Sequence, residues 1–307
     1  MNFLYLLERI RNPILDALFS VLTYLGDEVC FILIVLLMFW CVDKRMGYYL
    51  IAVGFAGTIL NQTLKIMFRV PRPWILDPDF SIVESARAGA TGYSFPSGHT
   101  QNAVGIYGSI IAWDRRRWVK CLALVPVVLV PLSRMYLGVH TPMDVGVSAL
   151  LAIILVVLFY PIMRRSEDKP VCMTAALGVV ALLGVFSILY VMLASFPADV
   201  DPANLTHAVE NAWKLTGAAI GIVLVWFVDA KHLHFETKAK WYAQILKIVL
   251  GAAVVLGIKS VLKAPLHAIL PDHLGDLIRY FAVAVTAGIL WPMTFPFFAK
   301  LGAKKHG

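Results

Sequence analysis

The chain has 307 residues, 60% of them hydrophobic, with a mean hydropathy of +0.77 and a formal net charge of +8. A soluble globular domain carries an apolar share of about 45–50%, so a soluble class is excluded and a bilayer is the expected solvent. An excess of 27 Lys and Arg over 19 Asp and Glu would suggest nucleic acid in a soluble protein. Here its distribution points to membrane topology instead, and no nucleic-acid partner is expected.

The first 26 residues set Glu8, Arg9, Arg11 and Asp16 around an apolar stripe of Leu4, Leu7, Ile14, Leu15, Leu18 and Phe19. This pattern predicts an amphipathic helix lying in the membrane interface. No charge-free core and small-residue cleavage site follow Arg11, so the N-terminus is expected to be retained.

Apolar spans follow near 28–42, 47–68, 98–113, 118–135, 143–163, 172–195, 213–230, 242–262 and 277–298. Most approach or exceed the roughly 20 residues that cross about 30 Å of hydrocarbon, and the first is short. The ten-residue apolar/polar alternation of a porin-like barrel is missing, so the reading is all-α. Between the second and third spans, Pro71 and Pro73 end a helix and force a long loop over 69–97. A charged connector from Arg164 to Pro170 divides the chain into 1–168 and 169–307, read as one integrated membrane domain.

Alternate loops carry Lys44 and Arg45; Arg115, Arg116, Arg117 and Lys120; Arg164, Arg165 and Lys169; Lys231, Lys238 and Lys240; and Lys300, Lys304 and Lys305. The opposite loops hold Arg69, Arg72, Arg87 and Lys263. The positive-inside rule places the first set, and the C-terminus, in the cytoplasm. The four Cys, at 30, 41, 121 and 172, lie in or beside apolar spans with no CxxC pair, and read as buried small hydrophobes.

Three clusters fall at the outward ends of spans: Lys65 with Arg72-Pro73; Pro96-Ser97-Gly98-His99; and Ser133-Arg134 with His140 and Asp144. A Lys or Arg at mid-membrane costs about 2.5–3.5 kcal/mol on insertion scales. Three such cations on one side need an anion, and a phosphate dianion supplies it: Arg matches phosphate oxygens with a planar fork, and Lys adds a point charge. Ser97-Gly98-His99 opens a helix, where free backbone N–H groups favour anions. Ser97 taken alone is a plain N-cap. His140 and Asp144, four apart at a helix start, are expected on one face. The carboxylate then accepts the proton on one imidazole nitrogen and leaves the other free to attack.

The ordered set K-x6-R-P, P-S-G-H and S-R-x5-H-x3-D resembles the signature of the type-2 phosphatidic acid phosphatase superfamily, with every fixed position present. The resemblance covers roughly residues 12–163. It implies a polytopic helical bundle with a six-helix phosphatase core that includes the N-terminal interfacial helix. It further implies a metal-independent membrane phosphatase acting on lipid phosphates, with no cofactor. His140 would form a phosphohistidine, oriented by Asp144; His99 would protonate the leaving group and then activate water. Lys65, Arg72, Arg134, Ser97 and Gly98 would hold the phosphoryl oxygens.

Polyprenyl diphosphate is the favoured substrate, because the basic loops put the site on the extracellular or periplasmic face of the plasma (inner) membrane. Phosphatidate, phosphatidylglycerol phosphate and sphingoid-base phosphates are alternatives. A lipid or anion transporter is the reading from another class, and a vanadate-dependent haloperoxidase is disfavoured by the hydrophobicity. The four spans after the core exceed what this chemistry needs; shaping a lipid channel, stabilising the core and forming a homodimer face remain open roles. His267, His273, Asp272 and Asp276 read as an ordinary outward polar loop.

Overall fold

The computed structural model describes residues 1–301; Lys304 and Lys305 of the last basic segment lie outside the described residues. Among the described residues the chain is helical without strands. In order come α1 (Asn2–Arg9), α2 (Pro13–Leu22), α3 (Glu28–Leu37), α4 (Lys44–Phe68), α5 (Pro73–Leu76), α6 (Gly98–Trp113) and α7 (Arg117–Tyr136). They are followed by α8 (Pro142–Arg165), α9 (Pro170–Leu193), α10 (Pro202–Val228), α11 (Trp241–Val261), α12 (Lys263–Ile269), α13 (Asp272–Val285) and α14 (Phe295–Lys300). Among the described residues seven helical segments are long and apolar enough to span a bilayer, and α2 with α3 passes the same test only as a pair bent by 49°; α6, expected as a span over 98–113, has 16 residues and is not among them. The protein is a multi-pass all-α membrane protein, as its apolar pattern required.

Two compact units divide the chain: Met1–Leu33, Ala56–Tyr160 and Leu193–Ala208 form one; Ile34–Phe55, Pro161–Met192 and the residues from Val209 onward form the other.

In the first unit the expected single N-terminal helix is two. Asn12 accepts hydrogen bonds from the N–H groups of Ile14 and Leu15, and Pro13 opens α2 at its first position, so Asn12-Pro13 starts a new helix. The apolar stripe divides accordingly. Leu4 packs with Phe80 and Ile82, and Leu7 with Ala90, Tyr136, Leu137 and Val139, whereas Ile14 and Leu18 are exposed. The long loop over 69–97 is thereby pinned between α1 and the C-terminal end of α7. Arg11 adds polar ties, donating to Tyr136 O at 3.0 Å and Ser81 O at 2.8 Å.

Two helix ends then fix residues 137–141. At the end of α7, Gly138 adopts φ +80, Val139 N–H donates to Arg134 O at 3.2 Å and Gly138 N–H to Met135 O at 3.0 Å. This is a Schellman motif, whose left-handed position favours glycine. At the start of α8, Thr141 N–H donates to Asp144 Oδ2 at 2.7 Å while Asp144 N–H donates to Thr141 Oγ1 at 3.2 Å, a reciprocal capping box followed by Pro142. The five residues between the two helices are held from both sides.

In the second unit, helices α10 and α13 approach closely at Gly217 and Gly221, where a Cβ would collide with Leu277 and Ala284, the small-residue packing common inside membranes. The segment read as a polar loop at 267–276 is helical instead. Its Asp276 is buried, accepts from Arg279 and from His267 Nε2 at 3.2 Å, and lies 3.5 Å from Lys214. Mutual neutralisation of this kind is what tolerates charge at membrane depth. Helix α10 starts within the first unit, earlier than the apolar pattern suggests, because Asp201 caps it by accepting from Ala203 N–H at 2.8 Å. The four cysteines are free, and none is the buried hydrophobe expected: Cys121 is exposed, and Cys30, Cys41 and Cys172 are half-buried.

Gly138→Ala should destabilise the protein, since a Cβ there adopts a left-handed conformation costing about 1–2 kcal/mol and meets Arg11 Nη2 at 2.8 Å. Thermal unfolding of the detergent-solubilised protein measures this; an unchanged midpoint would show that the turn accommodates a side chain.

Candidate functional site

All eight residues singled out by the sequence lie in the first unit. Lys65 stands in the last turn of α4, which stops at Arg69, a residue with φ 51 whose guanidinium donates to Ile66 O and Met67 O. Arg72 is the N-cap of α5, Arg134 occupies the last turn of α7, and Ser97 caps α6, with Gly98 and His99 as that helix's first residues. The Ser97 hydroxyl accepts from Thr100 N–H at 3.5 Å, which is the plain capping role, and from Thr100 Oγ1 at 3.0 Å.

His140 is the meeting point. Arg72 Nη1 lies 3.0 Å from His140 Nε2, and Asp144 Oδ2 lies 3.5 Å from His140 Nδ1. A guanidinium has only protons to offer, so Nε2 accepts and carries the lone pair, leaving the ring proton on Nδ1. Burial above all, followed by the charges of Arg72, Arg134 and Lys65 and then by His99, holds the His140 imidazole well below the ordinary histidine range. The ring is therefore neutral at neutral pH, with an unprotonated Nε2 among cations.

The route by which Asp144 reaches His140 differs from the expected helical face. His140 precedes α8 and stands in the connector; the capping box, by fixing Asp144 against Thr141 N–H, turns its carboxylate back toward the ring. The cations are also less free than a bare phosphate cage requires. Arg72 Nε donates to Gly92 O at 3.0 Å, Nη1 to Val139 O at 3.0 Å and Nη2 to Thr91 O at 2.6 Å. Lys65 Nζ donates to Tyr93 O at 2.6 Å and approaches Ser94 O at 3.4 Å. Arg134 donates to Thr23 Oγ1 at 2.9 Å, while its buried Nε has no partner among the described residues. His99 Nε2 lies 3.9 Å from Asp27 Oδ2.

Ser94, Thr23 and Asp27 were not found by sequence reasoning. Thr23 and Asp27 sit beside the bend between α2 and α3, at no motif spacing from their partners. Ser94 adjoins the Pro96-Ser97-Gly98-His99 cluster, and that proximity was the one available signal.

The arrangement sets three cations beside a neutral imidazole, a combination that can take a tetrahedral oxyanion and attack it. Known proteins bear on this. A family model described as the PAP2 superfamily matches residues 44–168, a range containing all eight residues, and one described as the PAP2 superfamily phosphatase, transmembrane extension, matches residues 213–305. Sphingosine-1-phosphate phosphatase 1 of Mus musculus is 26% identical over 277 residues, covering 84% of this chain and 62% of that protein. Undecaprenyl-diphosphatase BcrC of Bacillus subtilis is 29% identical, covering 49% of this chain and 76% of its own. The crystal structure of Aquifex aeolicus LpxE is 29% identical with a TM-score of 0.45, covering 51% of this chain and 92% of that one. The chain spans less than two thirds of the length of the mouse and rat sphingosine-1-phosphate phosphatases it matches.

Phosphate or vanadate should raise the unfolding midpoint of the detergent-solubilised protein by binding its folded state. Arg134→Ala should weaken that binding about 10- to 100-fold, the worth of one charged hydrogen bond. Equal shifts in both proteins would remove Arg134 from the anion site.

Proposed function

The chain belongs to the PAP2 superfamily, and from that premise we propose that it is a membrane lipid phosphate phosphatase working through a histidine nucleophile. The observation that carries this reading is the unprotonated Nε2 of a buried, neutral His140 set among Arg72, Lys65 and Arg134.

In the proposed reaction Arg72 Nη1 turns from His140 Nε2 to the phosphoryl oxygens, and the freed Nε2 lone pair attacks phosphorus and forms an N–P bond. The ester P–O bond breaks, its electron pair goes to the leaving oxygen, and His99, which enters the step as the imidazolium once the phosphate dianion offsets the neighbouring cations, gives that oxygen a proton. Water then attacks phosphorus, yields a proton to His99 and releases phosphate as the N–P pair returns to Nε2. Lys65, Arg72 and Arg134, with Ser97 and the Gly98 N–H at the start of α6, stabilise the charge that spreads over the equatorial oxygens. Such electrostatic stabilisation carries most of phosphoryl transfer; general acid–base help contributes only about 10²–10⁴. Asp144 balances the positive charge that develops on the ring. The cations do the work that a metal ion does elsewhere, so a chelator is expected to leave the rate unchanged.

A phosphate on a greasy tail suits a site whose Lys65 and Arg134 stand in the last turns of membrane-spanning helices. In this reading the site faces the side opposite the basic loops, away from the cytoplasm. Two substrates are supported. Polyprenyl diphosphate agrees with that sidedness and with the name of the Bacillus subtilis relative, whose match covers 49% of the chain. A long-chain-base phosphate agrees with the names of the mouse and rat relatives, whose matches each cover 84% of it, and that wider coverage favours it.

Phosphate release from a panel of sphingoid-base phosphate, polyprenyl diphosphate, phosphatidate and phosphatidylglycerol phosphate, with chelator present, tests the reading. Turnover is expected in wild type and is abolished in His140→Ala. Retained turnover in that variant would refute the mechanism, and flux of lipid across vesicles without hydrolysis would favour a transporter. Vanadate, whose five-coordinate form mimics phosphorus under attack, is expected to inhibit.

A further inference from the structure

Ser94 is fully buried and held at three points. Its N–H donates to Val70 O at 2.8 Å, its carbonyl faces Lys65 Nζ at 3.4 Å, and its hydroxyl donates to Asp144 Oδ2 at 2.5 Å. A hydroxyl has one proton. With that proton committed to a carboxylate, the Ser94 oxygen presents only lone pairs to His140 Nδ1, which lies 3.4 Å away.

Because Arg72 fixes the ring proton on Nδ1, that N–H meets two acceptors at nearly equal distance: Ser94 Oγ at 3.4 Å and Asp144 Oδ2 at 3.5 Å. They are unequal as acceptors. Asp144 Oδ2 already receives Thr141 N–H at 2.7 Å and the Ser94 hydroxyl at 2.5 Å. The Ser94 oxygen has no other donor among the described residues. A hydroxyl polarised by a carboxylate is also a better acceptor than an isolated one, since chained hydrogen bonds strengthen one another.

We propose, on the phosphatase reading above, that Ser94 is a positioning residue whose hydroxyl accepts the His140 Nδ1 proton and transmits the pull of Asp144 to the ring. Asp144 then acts on His140 chiefly through Ser94. The same residue's carbonyl faces Lys65, so the aim of the nucleophile and the seat of one phosphate-binding cation depend on one backbone position.

The test compares Ser94→Ala, Ser94→Cys, Asp144→Asn and the Ser94→Ala/Asp144→Asn double variant, on whichever lipid the wild type hydrolyses. Ser94→Ala should lower kcat about 10- to 100-fold, the loss expected when one charged hydrogen bond disappears. KM and the vanadate-induced thermal shift should change by less than about threefold, because the interaction lost is not one made to bound anion. The double variant should be no more than about threefold slower than Asp144→Asn, since residues acting as one unit are not additive. A purely structural role would move the vanadate shift together with kcat and would give multiplicative losses. Ser94→Cys, nearly isosteric and a weak hydrogen-bonding group, carries the test should the alanine variant not fold, and it should reproduce the kcat loss. A kcat within about twofold of wild type in either folded variant, or multiplicative losses in the double variant, overturns the proposal. Wild type that hydrolyses no lipid would instead sink the phosphatase reading itself.

Discussion

The site depends on gathering three cations, Lys65, Arg72 and Arg134, in a buried place at the end of membrane-spanning helices, with Asp144 and Asp27 as the carboxylates that act on them. Lys65, Arg72 and Arg134 each act electrostatically on His140, and their mutual repulsion opposes their assembly. Backbone oxygens offset this. The carbonyls of Thr91, Gly92, Tyr93 and Ser94, in consecutive order, face Arg72 and Lys65, and Val139 O accepts from Arg72 again. Carbonyl dipoles hold the cations in place without neutralising their charge, so the positive potential stays available to an arriving anion.

The residues nearest the proposed nucleophile owe their placement to ordinary helix-ending chemistry. A Schellman motif closes α7 after Arg134, and a capping box opens α8 at Thr141 and Asp144. His140 occupies the short connector between two satisfied helix ends, where little backbone freedom remains. Asp144 serves both purposes at once: its carboxylate caps α8 and, by the same orientation, lies 3.5 Å from the imidazole. A functional side chain carried on a rigid element in this way is already organised before ligand arrives.

The N-terminal segment contributes to this organisation from a distance. Leu4 and Leu7 hold the long loop against the end of α7, Arg11 ties to Tyr136 O, and Thr23 meets Arg134. A segment whose amphipathic pattern suggested a passive interfacial helix thus supports the shell around the proposed nucleophile.

Much of this was legible in the chain itself. Continuous apolar stretches dictate spanning helices because a bilayer leaves backbone polar groups no other partner, and the structure puts helices over each of them, seven of which are long and apolar enough to cross alone. The residues of the site were readable because cations and imidazoles beside apolar spans are costly and so conspicuous. Asn12-Pro13 and Asp201-Pro202 also carry helix-start signals, independent of the apolar pattern. What the tertiary structure alone decided was contact between residues far apart in number: Thr23 on Arg134, Asp27 near His99, the 91–94 carbonyls on Arg72 and Lys65, and Ser94 between His140 and Asp144. The physical reason is that backbone carbonyls are identical at every position and a serine beside a helix start is commonplace. Composition therefore declares which side chains are expensive to bury, and only the folded chain declares which neutral groups meet that expense.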